Sequence, residues 1–201
     1  MSVSFAFAKN FSLVADADLV ARALTGREEC FEELVRRYQR PIAAYVYRLV
    51  GNYESALDLT QDVFIKIYNS LERYRPEYKF STWIYKIAHN ASVDHLRRNA
   101  VRAQSIVGQC DGEEFEIPLE SPRPTPEQES ERAERRGEIE SLIHQLPAIY
   151  RELLVLRHAH DMSYDEIAEV TALPLGTVKN RLFRARETLR QMLIQKGITG
   201  V

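Results

Sequence analysis

The sequence predicts an all-α protein in which two helical domains are joined by a flexible acidic linker. Apolar residues recur at helical spacing on both sides of residues 111–126, a segment that holds four of the eight prolines in the 201-residue chain. The charge also changes sign, because residues 108–131 carry eight acidic side chains against one basic, whereas residues 175–196 carry six basic against one acidic. Since prolines and repelling carboxylates oppose a packed helix, the acidic segment is the expected linker.

The composition excludes several classes of protein. With 45% hydrophobic and 28% charged residues the chain can bury a core, but no apolar run approaches the ~20 residues that a membrane-spanning helix needs. The apolar stretch near residue 5 follows no basic region, so no secretory signal is predicted. Cys30 and Cys110 lack metal-ligand spacing, which favours reduced thiols in the cytoplasm over a disulfide or a zinc site.

The N-terminal domain is predicted to span residues 16–102 and to form a bundle of four helices. Their expected bounds are 18–24, 28–50, 54–71 and 81–98. Pro41 is expected to kink the second helix, and Ser81 is expected to cap the fourth. The apolar residues of each helix fall on one face, which indicates the core of a bundle.

The linker is predicted at residues 103–125 and the C-terminal domain at residues 126–196. The helices of this domain are expected at about 126–145, 147–158, 164–170 and 176–194. Pro126 stands at a first helical position, where its missing N–H costs nothing. Ser163 and Glu166 have the spacing of a capping box at the start of the third helix.

The last two helices, with a break at residues 171–174 between them, have the arrangement of a helix-turn-helix. Val178 and Leu182 are expected to face the core, so the polar and basic residues of the last helix project together. Asparagine and cationic side chains bind base edges in the major groove, and arginine also binds phosphates. The predicted duplex-binding residues are Thr177, Lys179, Asn180, Arg181, Phe183 and Arg184. The alternative is a solvated basic helix in an ordinary bundle.

Cations and aromatic residues are interleaved between Arg73 and Tyr85. Aromatic rings stack on unpaired bases while nearby cations hold the backbone, so this pattern favours single-stranded or melted nucleic acid over an intact duplex. A polar helix face continues the surface. The candidate residues are Arg73, Tyr74, Arg75, Lys79, Phe80, Trp83, Lys86, Asn90 and Arg97. The alternative is that Phe80 and Trp83 only close the end of the bundle.

A third candidate surface lies on the helix predicted at residues 54–71. Four residues share the face opposite its apolar stripe: Asp58, Gln61, Asp62 and Ile65. Carboxylates and an amide around an exposed isoleucine are more often a solvated face than a partner site, and the spacing alone leaves both interpretations open.

Ordered motifs in both domains resemble the signatures of bacterial RNA polymerase sigma factors. They are DLTQDVF at residues 58–64, FSTWIYKIAHN at 80–90, SYDEIA at 163–168 and GTVKNR at 176–181. The two-domain layout with a short linker resembles the extracytoplasmic-function (ECF) group of that family. The likeness covers about residues 18–192.

The resemblance implies a transcription initiation factor that binds core RNA polymerase, directs it to promoters and promotes DNA melting. It implies that the face with Asp62 binds the clamp helices of the largest polymerase subunit. The loop with Tyr74 and the helix with Trp83 and Asn90 would hold the opened −10 element, and the helix from Thr177 would bind the −35 element. The polymerase flap and an anti-sigma factor are the other partners that the resemblance implies.

Four residues depart from the family's usual ones, and one of them is Tyr74, which stands where phenylalanine is frequent. Leu57 stands where an acidic residue is common, and Thr171-Ala172 stands where Leu-Gly is frequent. If the site of Ala172 needs a positive φ, alanine there costs about 1 kcal/mol of stability relative to glycine.

Two other classes of function compete with this interpretation. One is a free-standing helix-turn-helix regulator with an N-terminal helical sensing domain, and the other is a helical enzyme that processes nucleic acid. The sequence shows no nucleotide-binding loop, metal-ligand cluster or nucleophile–base pair, so no catalytic residue, metal or cofactor is predicted. An Asp62→Lys variant tests the first alternative by its binding to polymerase, and a magnesium-dependent nuclease assay tests the second.

Overall fold

The computed structural model describes residues 11–105, 137–139 and 141–197, and every regular element in those ranges is helical. The N-terminal domain contains α1 (Asp16–Leu24), α2 (Glu28–Val50), α3 (Tyr53–Asn69) and α4 (Phe80–Ser105), with short 3₁₀ turns at Phe11–Leu13 and Leu71–Arg73. The C-terminal domain contains helical residues 137–139 and 141–145, then α5 (Ala148–His158), α6 (Tyr164–Thr171) and α7 (Leu175–Gln195). The predicted all-α fold is confirmed.

Local signals explain the junction between α2 and α3. Gly51 follows α2 with a left-handed φ of 76°, and its N–H donates to the carbonyl oxygen of Tyr47 at 2.8 Å. Asn52 then caps α3, since its Oδ1 accepts the N–H of Ser55 at 2.9 Å. Pro41 lies inside α2, and helical residues continue on both sides of it.

α4 differs from its prediction at both ends. The helix begins at Phe80 and the N–H of Trp83 donates to the carbonyl of Lys79 at 3.2 Å, so Lys79 holds the N-cap position and the prediction of Ser81 is wrong. The first residue of the helix, Phe80, is itself buried in the bundle. At the other end α4 continues to Ser105, three residues into the segment predicted as linker.

The C-terminal domain contains the predicted capping box and a left-handed turn. The Ser163 Oγ accepts the N–H of Glu166 at 3.2 Å, and the Glu166 Oε2 accepts the N–H of Ser163 at 2.7 Å. α6 ends at Thr171, and Ala172 follows with φ 55° and ψ 29°. The chain then enters α7 through Pro174. The predicted start of the domain at Pro126 lies outside the described residues.

The two domains are in direct contact. One cluster of buried side chains runs from Leu34 and Tyr45 in the N-terminal domain to Leu153 and Ile167 in the C-terminal domain. Helix α4 packs on α6, and α2 packs on α5. Among the described helices, none combines the length and the apolar character of a membrane span.

Candidate polymerase and nucleic-acid interfaces

Helix α3 presents one polar face to solvent. Leu59, Val63 and Ile67 are buried against the bundle. The four residues predicted for the opposite face are all exposed, and they are Asp58, Gln61, Asp62 and Ile65. Ile65 is 59% exposed.

Two further apolar side chains enlarge this face. Leu57 is 41% exposed and Tyr68 is 59% exposed, with the Tyr68 ring 5.0 Å from that of Phe31. We define Leu57, Ile65 and Tyr68 together with the carboxylates of Asp58 and Asp62 as the α3 face. Tyr68 is absent from the residues predicted for this face, although its helical spacing of three residues from Ile65 identifies it as a neighbour.

The loop between α3 and α4 is organised by aromatic contacts. The rings of Tyr74 and Trp83 lie 5.6 Å apart, and each also contacts the ring of Phe80, at 5.3 Å and 5.7 Å. The Tyr74 hydroxyl donates to the carbonyl of Tyr78 at 2.8 Å, which closes the loop on itself.

The structure corrects one member of this group. Phe80 is only 4% exposed and packs edge-on against Tyr38 as well, so its ring is not available to stack on a base. Its position supports Tyr74 and Trp83, which are half-buried and line the surface. The alternative interpretation of the sequence, that Phe80 closes the bundle end, is therefore correct for this residue.

An open cleft of about 350 Å³ lies beside the loop. Asp16 of α1 and Tyr78 of the loop are among the residues that line it. Asp16 is held in place because the Arg37 Nη1 donates to its Oδ1 at 2.6 Å and the Tyr38 hydroxyl donates to its Oδ2. The cleft thus has one rigid acidic wall and one wall made by the loop.

Glu33 anchors this arrangement from inside α2. The Arg36 Nε donates to the Glu33 Oε2 at 2.7 Å, and the Arg37 Nε donates to its Oε1 at 2.8 Å. These two hydrogen bonds lower the pKa of Glu33 from 4.5 to about 2. Arg37 therefore connects a buried carboxylate to the wall of the cleft.

The remaining candidates for single-strand binding fall into three groups. Arg73 and Asn90 line a second hollow, of about 470 Å³, together with Lys66. The exposed residues Arg75 and Arg97 lie outside that group. The other two cations, Lys79 and Lys86, face the C-terminal domain, and the sequence did not predict this contact.

Those two cations are paired with carboxylates of α6. The Lys79 Nζ lies 2.8 Å from the Glu166 Oε1, and the Lys86 Nζ lies 3.8 Å from the Glu169 Oε1. Burial raises the pKa of Glu166, but hydrogen bonds from Lys79 and Ser163 outweigh burial and leave that pKa below its usual value.

Polar contacts also lie deeper between the domains. The fully buried Tyr45 donates its hydroxyl to the Glu152 Oε1 at 2.8 Å, and the same oxygen pairs with Nδ1 of His89. The Tyr85 hydroxyl is hydrogen-bonded to Nδ1 of His160 at 2.7 Å. Burial, and to a lesser degree the charge of Arg48, lowers the pKa of His160 to about 4, so this ring is neutral at pH 7.

Helix α7 presents its predicted face without obstruction. Val178, Leu182 and Ala185 are buried, and the residues between them point away from the core. Phe183 is 68% exposed. Lys179, Asn180 and Arg184 are also exposed, whereas Thr177 and Arg181 are half-buried at the edge of the face. Together with α6 and the turn at Ala172, α7 completes a helix-turn-helix.

Comparison with known proteins identifies the family. Residues 34–102 match Sigma-70 region 2, and residues 136–189 match Sigma-70 region 4. The chain is 38% identical over 188 residues to the RNA polymerase sigma-H factor of Pseudomonas aeruginosa, covering 89% of this chain and 93% of that protein. It is 32% identical to the ECF RNA polymerase sigma factor SigW of Bacillus subtilis, covering 84% and 91%. The chain belongs to the ECF family of RNA polymerase sigma factors.

Solved structures agree with the fold of this sigma factor. The sigma factor RpoE of Bartonella quintana, in complex with the anti-sigma factor NepR, superposes with a TM-score of 0.67 at 21% identity, covering 81% of this chain and 96% of that one. CnrH in complex with the cytosolic domain of CnrY superposes with a TM-score of 0.62 at 24% identity, covering 90% and 97%. As a member of this family, the sigma factor directs RNA polymerase to promoters and initiates transcription. The alternative function, a free-standing helix-turn-helix regulator, is therefore not favoured.

Proposed function

We propose that this sigma factor divides promoter recognition among three surfaces. The α3 face binds the clamp helices of the largest polymerase subunit. The aromatic loop and α4 bind the opened −10 strand, and α7 binds the closed −35 duplex. The protein acts in the cytoplasm with core polymerase, performs no covalent chemistry of its own, and is controlled by an anti-sigma factor.

The single observation that carries this proposal is the exposed face of α7. Phe183 is 68% exposed on a helix whose opposite face is completely buried. A phenylalanine exposed among cations and an asparagine fits the methyl groups and base edges of a major groove. This arrangement favours duplex binding over the alternative left open by the sequence, a basic helix that is only solvated.

The chemistry of the other two surfaces supports the same division. On the α3 face, carboxylates around Leu57, Ile65 and Tyr68 provide an apolar centre with a charged rim, which is the usual composition of a protein interface. On the loop, the half-buried rings of Tyr74 and Trp83 lie beside the exposed cations Arg73 and Arg75, which is the combination that binds unstacked bases.

The experiment that tests the proposal reverses one charge on the α3 face. Asp62→Lys is expected to weaken binding to core polymerase by at least about tenfold. The reason is that the new cation would face polymerase groups that suit a carboxylate, and a contact between like charges in an interface costs several kcal/mol. Binding is measured by fluorescence anisotropy of the labelled sigma factor, and promoter opening by permanganate footprinting. The control is Glu32→Lys, which makes the same charge change at an exposed site of α2.

Wild-type affinity in the Asp62→Lys variant would refute the assignment of the α3 face. If the wild-type chain itself gave no permanganate-reactive thymines with core polymerase at any promoter, the proposed function would be wrong as a whole.

A further inference from the structure

Tyr38 and Asp16 have no role in the proposed function, yet both lie beside the aromatic loop. The ring of Tyr38 packs edge-on against Phe80, with 5.6 Å between the ring centroids. Phe80 in turn contacts the rings of Tyr74 at 5.3 Å and Trp83 at 5.7 Å. Tyr38 is therefore the inner support of the buried ring on which both half-buried rings rest.

The hydroxyl of Tyr38 holds this ring in place. It donates to the Oδ2 of Asp16, the first residue of α1. Burial, and after it this hydrogen bond, raise the pKa of Tyr38 above its usual value, so the hydroxyl keeps its proton and remains a donor. A ring that is held by α2 at one end and by a carboxylate at the other has little freedom to tilt away from Phe80.

Asp16 is itself held by a network that reaches the interior of α2. Its Oδ1 accepts from the Arg37 Nη1 at 2.6 Å, and the Arg37 Nε donates to the Glu33 Oε1 at 2.8 Å. The same guanidinium donates to the backbone carbonyls of Phe11 and Val14. All three nitrogens of Arg37 are thus engaged, and a fully hydrogen-bonded network of this kind is rigid.

The charge of Asp16 does not explain its position. Asp16 lines the open cleft beside the loop. A carboxylate there repels DNA phosphates, so its charge opposes the binding that the proposed function assigns to this surface. What Asp16 provides is an acceptor for Tyr38. A phenylalanine in place of Tyr38 would pack on Phe80 without needing any partner, so the hydroxyl adds orientation rather than burial.

We propose that Tyr38 and Asp16 are positioning residues for promoter opening, because their hydrogen bond holds Phe80 where it orients the two rings that stack on opened bases. Their effect on the bases passes through Phe80. Rings that are already oriented lose less conformational entropy when a base binds, so an inner hydrogen bond affects the affinity for a base that it does not touch. This inference rests on the proposed function, because it requires the aromatic loop to bind the opened strand.

The first test asks whether the hydrogen bond restrains the loop. Trp83 is the only tryptophan of the chain, so its fluorescence in the free full-length protein reports on the loop alone. Tyr38→Phe keeps the ring and removes only the hydroxyl. Its acrylamide quenching constant is expected to rise at least about 1.5-fold, because a less restrained indole is reached more often by the quencher. An unchanged quenching constant would overturn the proposal.

The second test measures promoter opening by the holoenzyme. In Tyr38→Phe, the rate at which thymines of the −10 region become reactive to permanganate is expected to fall about 3- to 10-fold, the range for one hydrogen bond. Binding to core polymerase and to a −35 duplex should not change. A substitution that only loosened the fold would lower the melting temperature and leave opening intact well below it. A wild-type opening rate would therefore overturn the proposal.

Tyr45→Phe is the matched control. Tyr45 lies seven residues after Tyr38 on the same helix, and its hydroxyl also donates to a carboxylate, the Glu152 Oε1, at 2.8 Å. Its ring packs on Tyr85 and His160. This variant is expected to open promoters at the wild-type rate. An equal loss in both variants would overturn the proposal, because the removal of any inner tyrosine hydroxyl would then explain it.

The sign of a further effect separates positioning from charge. Asp16→Ala removes a negative charge from the cleft, which by charge alone would favour DNA. The proposal expects slower opening instead, by at least as much as in Tyr38→Phe. The control is Glu77→Ala, which removes the same charge from an exposed site of the same cleft and should open promoters at least as fast as the wild type. Faster opening in Asp16→Ala would overturn the proposal, and Tyr38→Phe decides alone if Asp16→Ala does not fold.

The proposed function fails in a different way. If the wild-type holoenzyme opens promoters and Tyr38→Phe opens them equally fast, the positioning role is wrong and the assigned function stands. If the wild-type holoenzyme opens no promoter, the function itself is wrong, whatever the fluorescence of Trp83 shows.

Discussion

The two surfaces proposed to bind DNA in this sigma factor differ in what holds their side chains. On α7, Lys179 and Asn180 stand in solvent on a helix whose other face is buried. On the loop and α4, Tyr74 and Trp83 rest on a buried Phe80, and Lys79 is paired with the other domain. The surface proposed for the closed duplex is therefore exposed in the free chain, whereas the surface proposed for the opened strand is supported, and partly covered, by protein.

The largest expected effect is the loss of Trp83. Trp83→Ala removes a stacking platform worth about 1–3 kcal/mol per base, so promoter opening by the holoenzyme is expected to fall about 10- to 100-fold. Permanganate reactivity of thymines in the −10 region measures it. Binding to a −35 duplex should stay unchanged, because Trp83 lies in the other domain. Trp83→Phe keeps a ring and is expected to recover most of the opening, and full activity in the alanine variant would contradict the role of the aromatic surface.

The next effect belongs to α7. Asn180→Ala is expected to lower the affinity for a −35 duplex about tenfold, since a good base contact contributes about 1–3 kcal/mol. Electrophoretic mobility shift with a promoter duplex measures this, and single-stranded DNA binding should not change. Arg190→Ala, at an exposed site nearer the end of the same helix, is the control for a general loss of positive surface. Equal losses of duplex affinity in both variants would indicate that α7 contacts phosphates and makes no base contacts.

The contrast between the surfaces also explains which predictions succeeded. On α7 and α3 the periodicity predicted most of the solvent-facing side chains, because a single helix with one buried stripe determines which residues face solvent. Of the predicted residues on these two helices, Thr177 and Arg181 are the ones that lie half-buried at the edge of the face. The capping box at Ser163 and Glu166 was predictable for the same reason, since both hydrogen bonds are local.

Errors arose where distant residues decide the structure. Phe80 has the composition of a stacking residue, but Tyr38, 42 positions earlier, packs against its ring and buries it. Ser81 has the chemistry of an N-cap, yet α4 begins one residue earlier, at the buried Phe80. The contacts of Lys79 and Lys86 with α6 join residues about 85 positions apart, which no local pattern encodes.

A smaller effect is expected from acid, and it should appear in the N-terminal domain first. The pKa of Glu33 is lowered to about 2, so its ion pairs stabilise the fold fully above about pH 4.5. That stability is lost as the pH falls from about 4.5 towards 2. Circular dichroism melts of the wild type should lose stability more steeply in this range than melts of Glu33→Gln. If the stability of both proteins fell equally steeply with pH, the ion pairs of Glu33 with Arg36 and Arg37 would not support the wall of the cleft.

The smallest effect concerns the turn that presents α7. Ala172 has a left-handed φ of 55°, where a side chain costs about 1 kcal/mol that glycine avoids, so Ala172→Gly is expected to stabilise the protein by about that amount. The matched control is Ala159→Gly, at a right-handed position after α5, which should not stabilise. Differential scanning calorimetry measures both. Glycine can adopt the same left-handed turn, so α7 should keep its orientation. The melting temperature should then rise while the affinity for a −35 duplex stays constant. A changed affinity would show that the side chain of Ala172 affects the orientation of α7.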